Sequence, residues 1–254
     1  MVFNKEINGY QNEIEIRNEW NGKYVSELNI MYRSFIEDIF NDIKDDNLII
    51  CWVDFTKKKY DIVISINNER RYISIKKGVK NSVHVEGISS FIHFLIENGV
   101  EKEIIIEYLK YQYADGTTNG TGKERLSAEE YKKENQEKID KINDCINNKK
   151  LLEKAAERFV LKGRNSNKYI DALLFGVNDD FIWIKKEDIK NIIAEKANSY
   201  STAVHFGPLT VQPVDRCLNY NPKFEKKRFC VQLKWYNLAD DIIENMNNNT
   251  IKNK

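Results

Sequence analysis

Three short extended segments follow one another between positions 48 and 76. The first, 48–53, is a continuous apolar run, which is typical of a strand covered on both faces. The second, 60–66, alternates in part between polar and apolar residues, and a pair of asparagines separates it from the third, 71–76. Because the connections are this short, the spacing predicts an antiparallel meander.

Helical periodicity flanks the meander on both sides. Apolar residues recur at three- and four-residue steps over 24–44 and again over roughly 86–98, where Gly99 marks a helix end. A further strand is predicted over 103–109. The order helix, three strands, helix, strand indicates an α/β (α+β) fold rather than a bundle or a sandwich.

The rest of the chain extends this pattern without an evident boundary. A Gly-rich loop at 114–122 precedes a helix that begins in a capping box, and further short strands and helices follow. The sequence contains no internal repeat and no linker. We therefore predict one elaborated domain over residues 1–254, with a core at about 24–110 and a C-terminal elaboration at about 111–246.

The net charge of +1 conceals two basic segments. Residues 56–80 hold eight basic and two acidic side chains, and residues 216–234 hold six and one, whereas the acidic excess lies in 1–55. Such segments are typical either of one face that attracts phosphates or of solvated lysines on turns and strand edges. Charge alone leaves both interpretations open.

The chain carries no signal for export or membrane insertion. Its first residues are polar, no apolar run reaches 18 residues, and the four cysteines show no CxxC spacing. We therefore expect a cytoplasmic protein with reduced thiols, no membrane contact and no zinc site.

One set of polar residues has an order and spacing that suit chemistry. Asp61 opens the second predicted strand, Ser74-Ile75-Lys76 closes the third, and Glu86 opens the helix that follows. A hairpin of this length brings Asp61 and Lys76 side by side. Taken singly, each residue is equally typical of a strand-edge ion pair, a solvated strand end or a charge favoured at a helix N-terminus.

These residues resemble the PD-(D/E)XK nuclease superfamily, whose fold is that of most type II restriction endonucleases. The family has an Asp on one strand and (Asp/Glu)-x-Lys on the next. Asp61 matches the first element and Ser74-Ile75-Lys76 fills the second, with serine in the acidic slot and Tyr60 where the family has proline. The resemblance covers roughly 24–110 and implies a restriction-endonuclease-like core with a mixed central sheet flanked by helices.

The resemblance also implies roles for these residues. Asp61 and Glu86, the latter replacing the missing carboxylate, would hold Mg²⁺ with the carbonyl of Ile75, and Mn²⁺ is expected to substitute. Lys76 would orient the attacking water and offset transition-state charge. Possible supporting residues are Glu37 (or Glu27), Ser74 and His84. The Gly-rich loop lacks the spacing of a phosphate-binding loop, so no nucleotide cofactor is expected.

Duplex DNA is the partner that this resemblance and the basic segments imply. The residues expected to contact it are Lys77, Lys80, Asn81, Lys123, Arg125, Gln212, Arg216, Lys226, Lys227 and Arg228. A rival half-motif, Gln232-Leu233-Lys234 with Asp215, ranks lower because no clear hairpin joins its two parts.

The sequence thus predicts a Mg²⁺-dependent endonuclease of the type II restriction class, acting as a homodimer on palindromic sites. Three alternatives stay open: a nuclease effector of another anti-phage system, a non-catalytic nucleic-acid-binding protein on the same fold, and a module whose basic face contacts an acidic protein. Mg²⁺ dependence separates the nucleases from the binding proteins.

Overall fold

The computed structural model describes residues 8–56, 58–78, 81–163, 166–196, 202–215 and 222–252. In chain order, the helices and strands are α1 (Gly9–Trp20), α2 (Ile30–Ile39), β1 (Ile50–Val53), β2 (Ile62–Ile66), β3 (Glu69–Lys76), β4 (Asn81–Gly87), α3 (Ile88–Glu97), α4 (Lys102–Tyr113), α5 (Ala128–Ile146), α6 (Lys149–Ala155), β5 (Ala172–Val177), β6 (Asp180–Lys185), α7 (Lys186–Glu195), β7 (His205–Phe206), β8 (Leu209–Pro213), β9 (Cys230–Trp235) and α8 (Leu238–Lys252).

These elements form two compact units, each assembled from separate stretches of the chain. The first unit contains the N-terminal part as far as Asn81, then Glu157–Ile192 and the C-terminal part from Asn237. The second contains Ser82–Ala156 and Ile193–Tyr236.

The first unit contains a five-stranded mixed sheet in the order β1-β2-β3-β5-β6. The predicted meander is confirmed, because β1, β2 and β3 pair antiparallel with one another. The β5 strand then runs parallel to β3, and β6 pairs antiparallel with β5.

Helices α1 and α2 pack on this sheet through an aromatic cluster. Trp20 stacks on Phe35 with ring centroids 5.2 Å apart, and Tyr32 and Phe181 meet these rings edge-on or tilted. All four side chains are buried, and rings of this size contribute a large share of a core's apolar area. The cluster therefore packs both helices against β6 of this sheet.

The second unit has a four-stranded sheet in the order β4-β9-β8-β7. Phe91 of α3, Tyr108 of α4 and Phe206 of β7 are buried in its core, and the Phe91 ring lies 4.9 Å from that of Tyr108 and 6.1 Å from that of Phe206. The predicted capping box is confirmed, because Ser127 Oγ accepts from the Glu130 N–H and the Glu130 carboxylate accepts from that of Ser127.

Three predictions about secondary structure are wrong. The expected strand at 103–109 is helix α4, because its buried positions 104, 105, 108 and 111 follow helical spacing that a seven-residue window hides. The expected helix at 24–44 is a short 3₁₀ turn followed by α2. Glu86 lies on strand β4 rather than at the start of a helix, since α3 begins only at Ile88.

The cysteines of the described residues are free thiols. Cys51 is buried, Cys145 and Cys230 are half-buried, all three are free, and Cys217 lies outside the described residues. Over the ranges described above, no helix combines the length and apolar character needed to cross a membrane.

Candidate active site

The side chain of Asp61 lies where the β2 and β3 strands meet. Its Oδ2 atom accepts hydrogen bonds from the Ser74 hydroxyl at 3.0 Å and from the Ile75 N–H at 2.6 Å, and lies 3.4 Å from Lys76 Nζ. Within the described part of the chain, no hydrogen bond reaches Oδ1. One carboxylate oxygen is thus used to hold the cluster together, and the other keeps its lone pairs.

Lys76 is held over the same group of atoms. Its Nζ donates to Ser74 Oγ at 3.0 Å and to the Ile75 carbonyl at 2.8 Å, in addition to its contact with Asp61. The side chains of Lys76 and Asp61 are 20 % and 23 % exposed, so both reach solvent while their contacts are largely shielded from it. The sequence predicted this association of Asp61 and Lys76.

Strand register produces the arrangement. Ile62 pairs with Ile73, which sets Asp61, one residue before β2, opposite Ser74. The two-residue turn at Asn67 and Asn68 has positive φ at both positions, as the favoured hairpin turns require. A slip of one residue would move Ser74 away from Asp61, so this turn fixes the site as well as the hairpin.

Two further ionisable groups, Glu13 and Lys59, interact electrostatically with Asp61 and Lys76, and the sequence analysis missed both. The pKa of Glu13 is raised to about 7, chiefly by burial and in smaller part by the charge of Asp61, while the ammonium of Lys76 opposes the shift. Burial likewise lowers the pKa of Lys59 to about 7, with Lys76 adding to the shift and Asp61 opposing it. Each group thus interacts with both Asp61 and Lys76, and Lys59 Nζ also donates to the Phe159 carbonyl.

Helix α1 brings Glu13 to the sheet. Its neighbour Asn12 is buried and donates to the Gly176 carbonyl at 3.1 Å, and Phe175, one residue earlier on β5, pairs with Lys76. The apolar positions of α1 are few, so its periodicity is weak. The signals that identify it are an Asn8 cap and the i, i+4 pair Ile16 and Trp20.

Glu86 and His84 lie on β4 in the second unit. Their side chains are 4 % and 9 % exposed, and Glu86 Oε2 lies 3.5 Å from His84 Nε2. The expectation that Glu86 joins Asp61 and Lys76 stays a prediction.

Other predicted residues of the first unit make different contacts. Glu37 accepts from Arg33 at 2.7 Å in an exposed ion pair rather than from the Asp61 cluster. Glu27 accepts from the Tyr24 N–H. Lys77 is half-buried just after β3, and Asn81 donates to the Gly78 carbonyl at 3.1 Å. Lys80 and Arg216 lie outside the described residues.

In the second unit, two arginines predicted to contact DNA form internal ion pairs. Arg125 pairs with Asp215 and Arg228 pairs with Asp115, and all four side chains are at most 16 % exposed. In contrast, Lys123, Lys226 and Lys227 are exposed, and Gln212 lies on β8 opposite Gln232.

The rival half-motif has its two parts at opposite ends of a hairpin. Lys234 pairs with Thr210, five residues before Asp215, a separation of roughly 16 Å along an extended strand. Asp215 is already paired with Arg125. This geometry favours Asp61 and Lys76 over Asp215 and Lys234.

The first-unit cluster suits a hard divalent cation. Over the described ranges, no group of three or more His, Cys, Asp or Glu side chains forms a ready-made cage. Mg²⁺ does not need one, because it keeps several waters and binds through one or two carboxylates together with substrate phosphates. Asp61 Oδ1 and the carboxylate of Glu13, whose burial a bound cation would compensate, are donors of the required kind.

Comparison with known proteins supports the fold. No family model and no curated protein matches this sequence. Among solved structures, the chain is similar to the restriction endonuclease MspI in complex with its cognate DNA, with a TM-score of 0.51 and 14 % identity over 89 % of this chain and 91 % of that one. The chain therefore has a restriction-endonuclease-like fold, as the sequence predicted.

Proposed function

We propose that this protein is a Mg²⁺-dependent endonuclease that hydrolyses phosphodiester bonds of duplex DNA. The observation that carries the proposal is the contact of Asp61 with Ser74, Ile75 and Lys76 at the paired ends of β2 and β3. The fold likeness to a DNA-bound restriction endonuclease supports the same class of reaction.

Asp61 and Glu13 are the carboxylates that we assign to the cation, with the Ile75 carbonyl as a further oxygen donor. When bound, Mg²⁺ supplies Lewis-acid polarisation of the phosphate and a more acidic water. Ser74 cannot replace a carboxylate, since its hydroxyl donates to Asp61 instead of offering a charge. Glu86 stays the alternative second carboxylate.

Lys76 is assigned to the water and to the charge that develops on the phosphate oxygens. Its ammonium is held by three oxygen atoms, those of Asp61, Ser74 and Ile75, so its position is set before substrate arrives. A preorganised cation of this kind stabilises a transition state without the cost of reorienting solvent.

The biological role that we infer is cleavage of foreign DNA by a type II restriction enzyme, acting in the cytoplasm as a homodimer on palindromic sites. Mn²⁺ is expected to replace Mg²⁺. A second candidate, a nucleic-acid-binding protein without activity, is favoured by one observation: Ser74 occupies the acidic slot of the half-motif and is buried.

A cleavage assay separates the two candidates. Supercoiled plasmid and phage DNA are incubated with the protein in Mg²⁺, in Mn²⁺ and in EDTA. The nuclease predicts nicked or linear products in either cation and none in EDTA. Retention of DNA without cleavage under all three conditions would favour the binding protein.

A further inference from the structure

Two basic segments that are far apart in sequence meet in the second unit. Arg228, at the end of the 3₁₀ helix Pro222–Phe229, donates to the Gly122 carbonyl at 2.9 Å and forms an ion pair with Asp115. Asp115 in turn accepts from the N–H groups of Thr117 and Gly122 at 2.9 and 3.0 Å. The Gly-rich loop is thus tied to the helix by Asp115, its second residue, and Gly122, its last.

A second tie fixes the residues that follow the loop. Arg125 donates to the carbonyls of Tyr113 at 2.7 Å and Gln112 at 3.4 Å, and pairs with Asp215. Gln112 is buried and donates to the Arg228 carbonyl at 3.1 Å. Both guanidinium groups are therefore engaged inside the unit, which disfavours the sequence-based expectation that they contact DNA.

Lysines are the cations that this packing leaves at the surface. Lys123 follows Gly122 directly, and Lys226 and Lys227 precede Arg228, so the hydrogen bond from Arg228 to Gly122 joins the two chain segments that carry these lysines. All three are exposed, and no carboxylate in the described ranges forms an ion pair with them. The exposed acids Glu124 and Glu225 are their sequence neighbours.

We propose that Lys123, Lys226 and Lys227 form one lysine patch that binds the phosphate backbone of duplex DNA. The proposal deepens the proposed function and rests on it for the identity of the polyanion. Exposed ammonium groups act as point charges suited to phosphate oxygens, and such contacts set position rather than read sequence. Arg125 and Arg228 hold the loop and helix that carry the patch.

The test measures binding of a labelled duplex by fluorescence anisotropy in EDTA, over a range of salt concentrations. The triple variant Lys123→Gln, Lys226→Gln, Lys227→Gln should bind about tenfold more weakly at 0.1 M salt, and its log–log salt slope should fall by about 2 to 3, since each phosphate contact contributes about 0.9. The matched control is Lys133→Gln, Lys141→Gln, Lys150→Gln, three exposed lysines of α5 and α6 in the same unit.

The proposal is supported if the control variant loses less DNA affinity than the patch variant and the two variants have equal thermal stability. Equal losses in both would show an effect of net charge and overturn it, as would an unchanged slope in the patch variant. Displacement of the duplex by poly-glutamate at equal charge would assign the surface to an acidic protein and also overturn it. Binding is measured in EDTA, where no cleavage is expected, so it is independent of activity. If the wild-type protein binds DNA in EDTA but does not cleave it in Mg²⁺, the nuclease proposal is rejected and the lysine patch is not.

Discussion

Ser74 donates its hydroxyl hydrogen bond to Asp61 at 3.0 Å, at the position that the proposed PD-(D/E)XK half-motif would give to an acidic residue. A carboxylate there would set two negative charges against each other, whereas the serine hydroxyl donates to one oxygen of Asp61 and also accepts from Lys76. The serine therefore keeps the geometry of the half-motif and removes one potential cation ligand. Any second carboxylate must come from another element.

Lys76→Ala should reduce Mg²⁺-dependent cleavage by about 10²-fold or more, because the variant loses charge stabilisation that acts in the transition state. DNA affinity measured in EDTA should change little. The measurement is plasmid cleavage under single-turnover conditions, with anisotropy for binding.

Lys234→Ala is the matched control, since Lys234 is the lysine of the rival half-motif and lies over the Tyr236 ring. This variant should stay active. Full activity of Lys76→Ala together with loss of activity in Lys234→Ala would move the site to β9.

Glu13→Gln should weaken binding of Mn²⁺ or Ca²⁺ by about tenfold or more, because the variant replaces an anionic carboxylate donor with a neutral amide. Isothermal titration calorimetry without DNA provides a readout that does not depend on activity. Glu86→Gln is titrated in parallel, and Glu37→Gln, whose carboxylate pairs with Arg33, serves as the unaffected control. A loss in Glu86→Gln but not in Glu13→Gln would assign the second carboxylate to β4.

The same glutamate predicts a pH dependence of stability. Its pKa in the folded chain is about 7, above the ordinary value of 4.5, so between these values the folded state holds a proton that the unfolded state releases. Protonated Glu13 therefore favours the folded state. This contribution to the free energy of unfolding is fully present below pH 4.5 and is lost as pH rises through 7.

Glu13→Gln removes this dependence. In EDTA, the variant should be more stable than wild type by on the order of 1–2 kcal/mol at pH 7.5, after allowance for partial solvent screening, and nearly equal to it at pH 5. Urea denaturation at both pH values measures the difference. If the difference in free energy of unfolding between variant and wild type is the same at both pH values, the raised pKa of Glu13 is contradicted.

The sequence was sufficient for the elements whose pattern is local. The meander, the Asp61 to Lys76 spacing and the capping box at Ser127 all depend on residues close in the chain, and all three features are present in the structure. The short apolar run at 103–109 was wrongly predicted to be a strand, because a strand and a buried helix have similar apolar patterns over seven residues.

The remaining features depend on contacts over long sequence separations. Glu13 interacts electrostatically with Asp61 and Lys76 from α1, whose Asn12 donates to Gly176, 164 positions away, and no spacing rule connects these residues. The internal pairing of Arg228 likewise depends on Asp115, 113 positions away. A basic side chain in a basic segment gives no sign in the sequence that a buried partner has already engaged it.

Arg228→Gln should destabilise the chain by about 3 kcal/mol, because Asp115, whose side chain is fully buried, loses the cation that compensates it. Adding Asp115→Asn should recover part of that loss, since the uncompensated charge is then gone. The free energy of unfolding of the two single variants and the double variant, from urea denaturation, gives the coupling directly. Arg33→Gln is the control, because its pairs with Glu37 and Asp45 are exposed to solvent and contribute little to stability. Equal small losses in Arg228→Gln and Arg33→Gln would contradict a tie between the Gly-rich loop and the 3₁₀ helix.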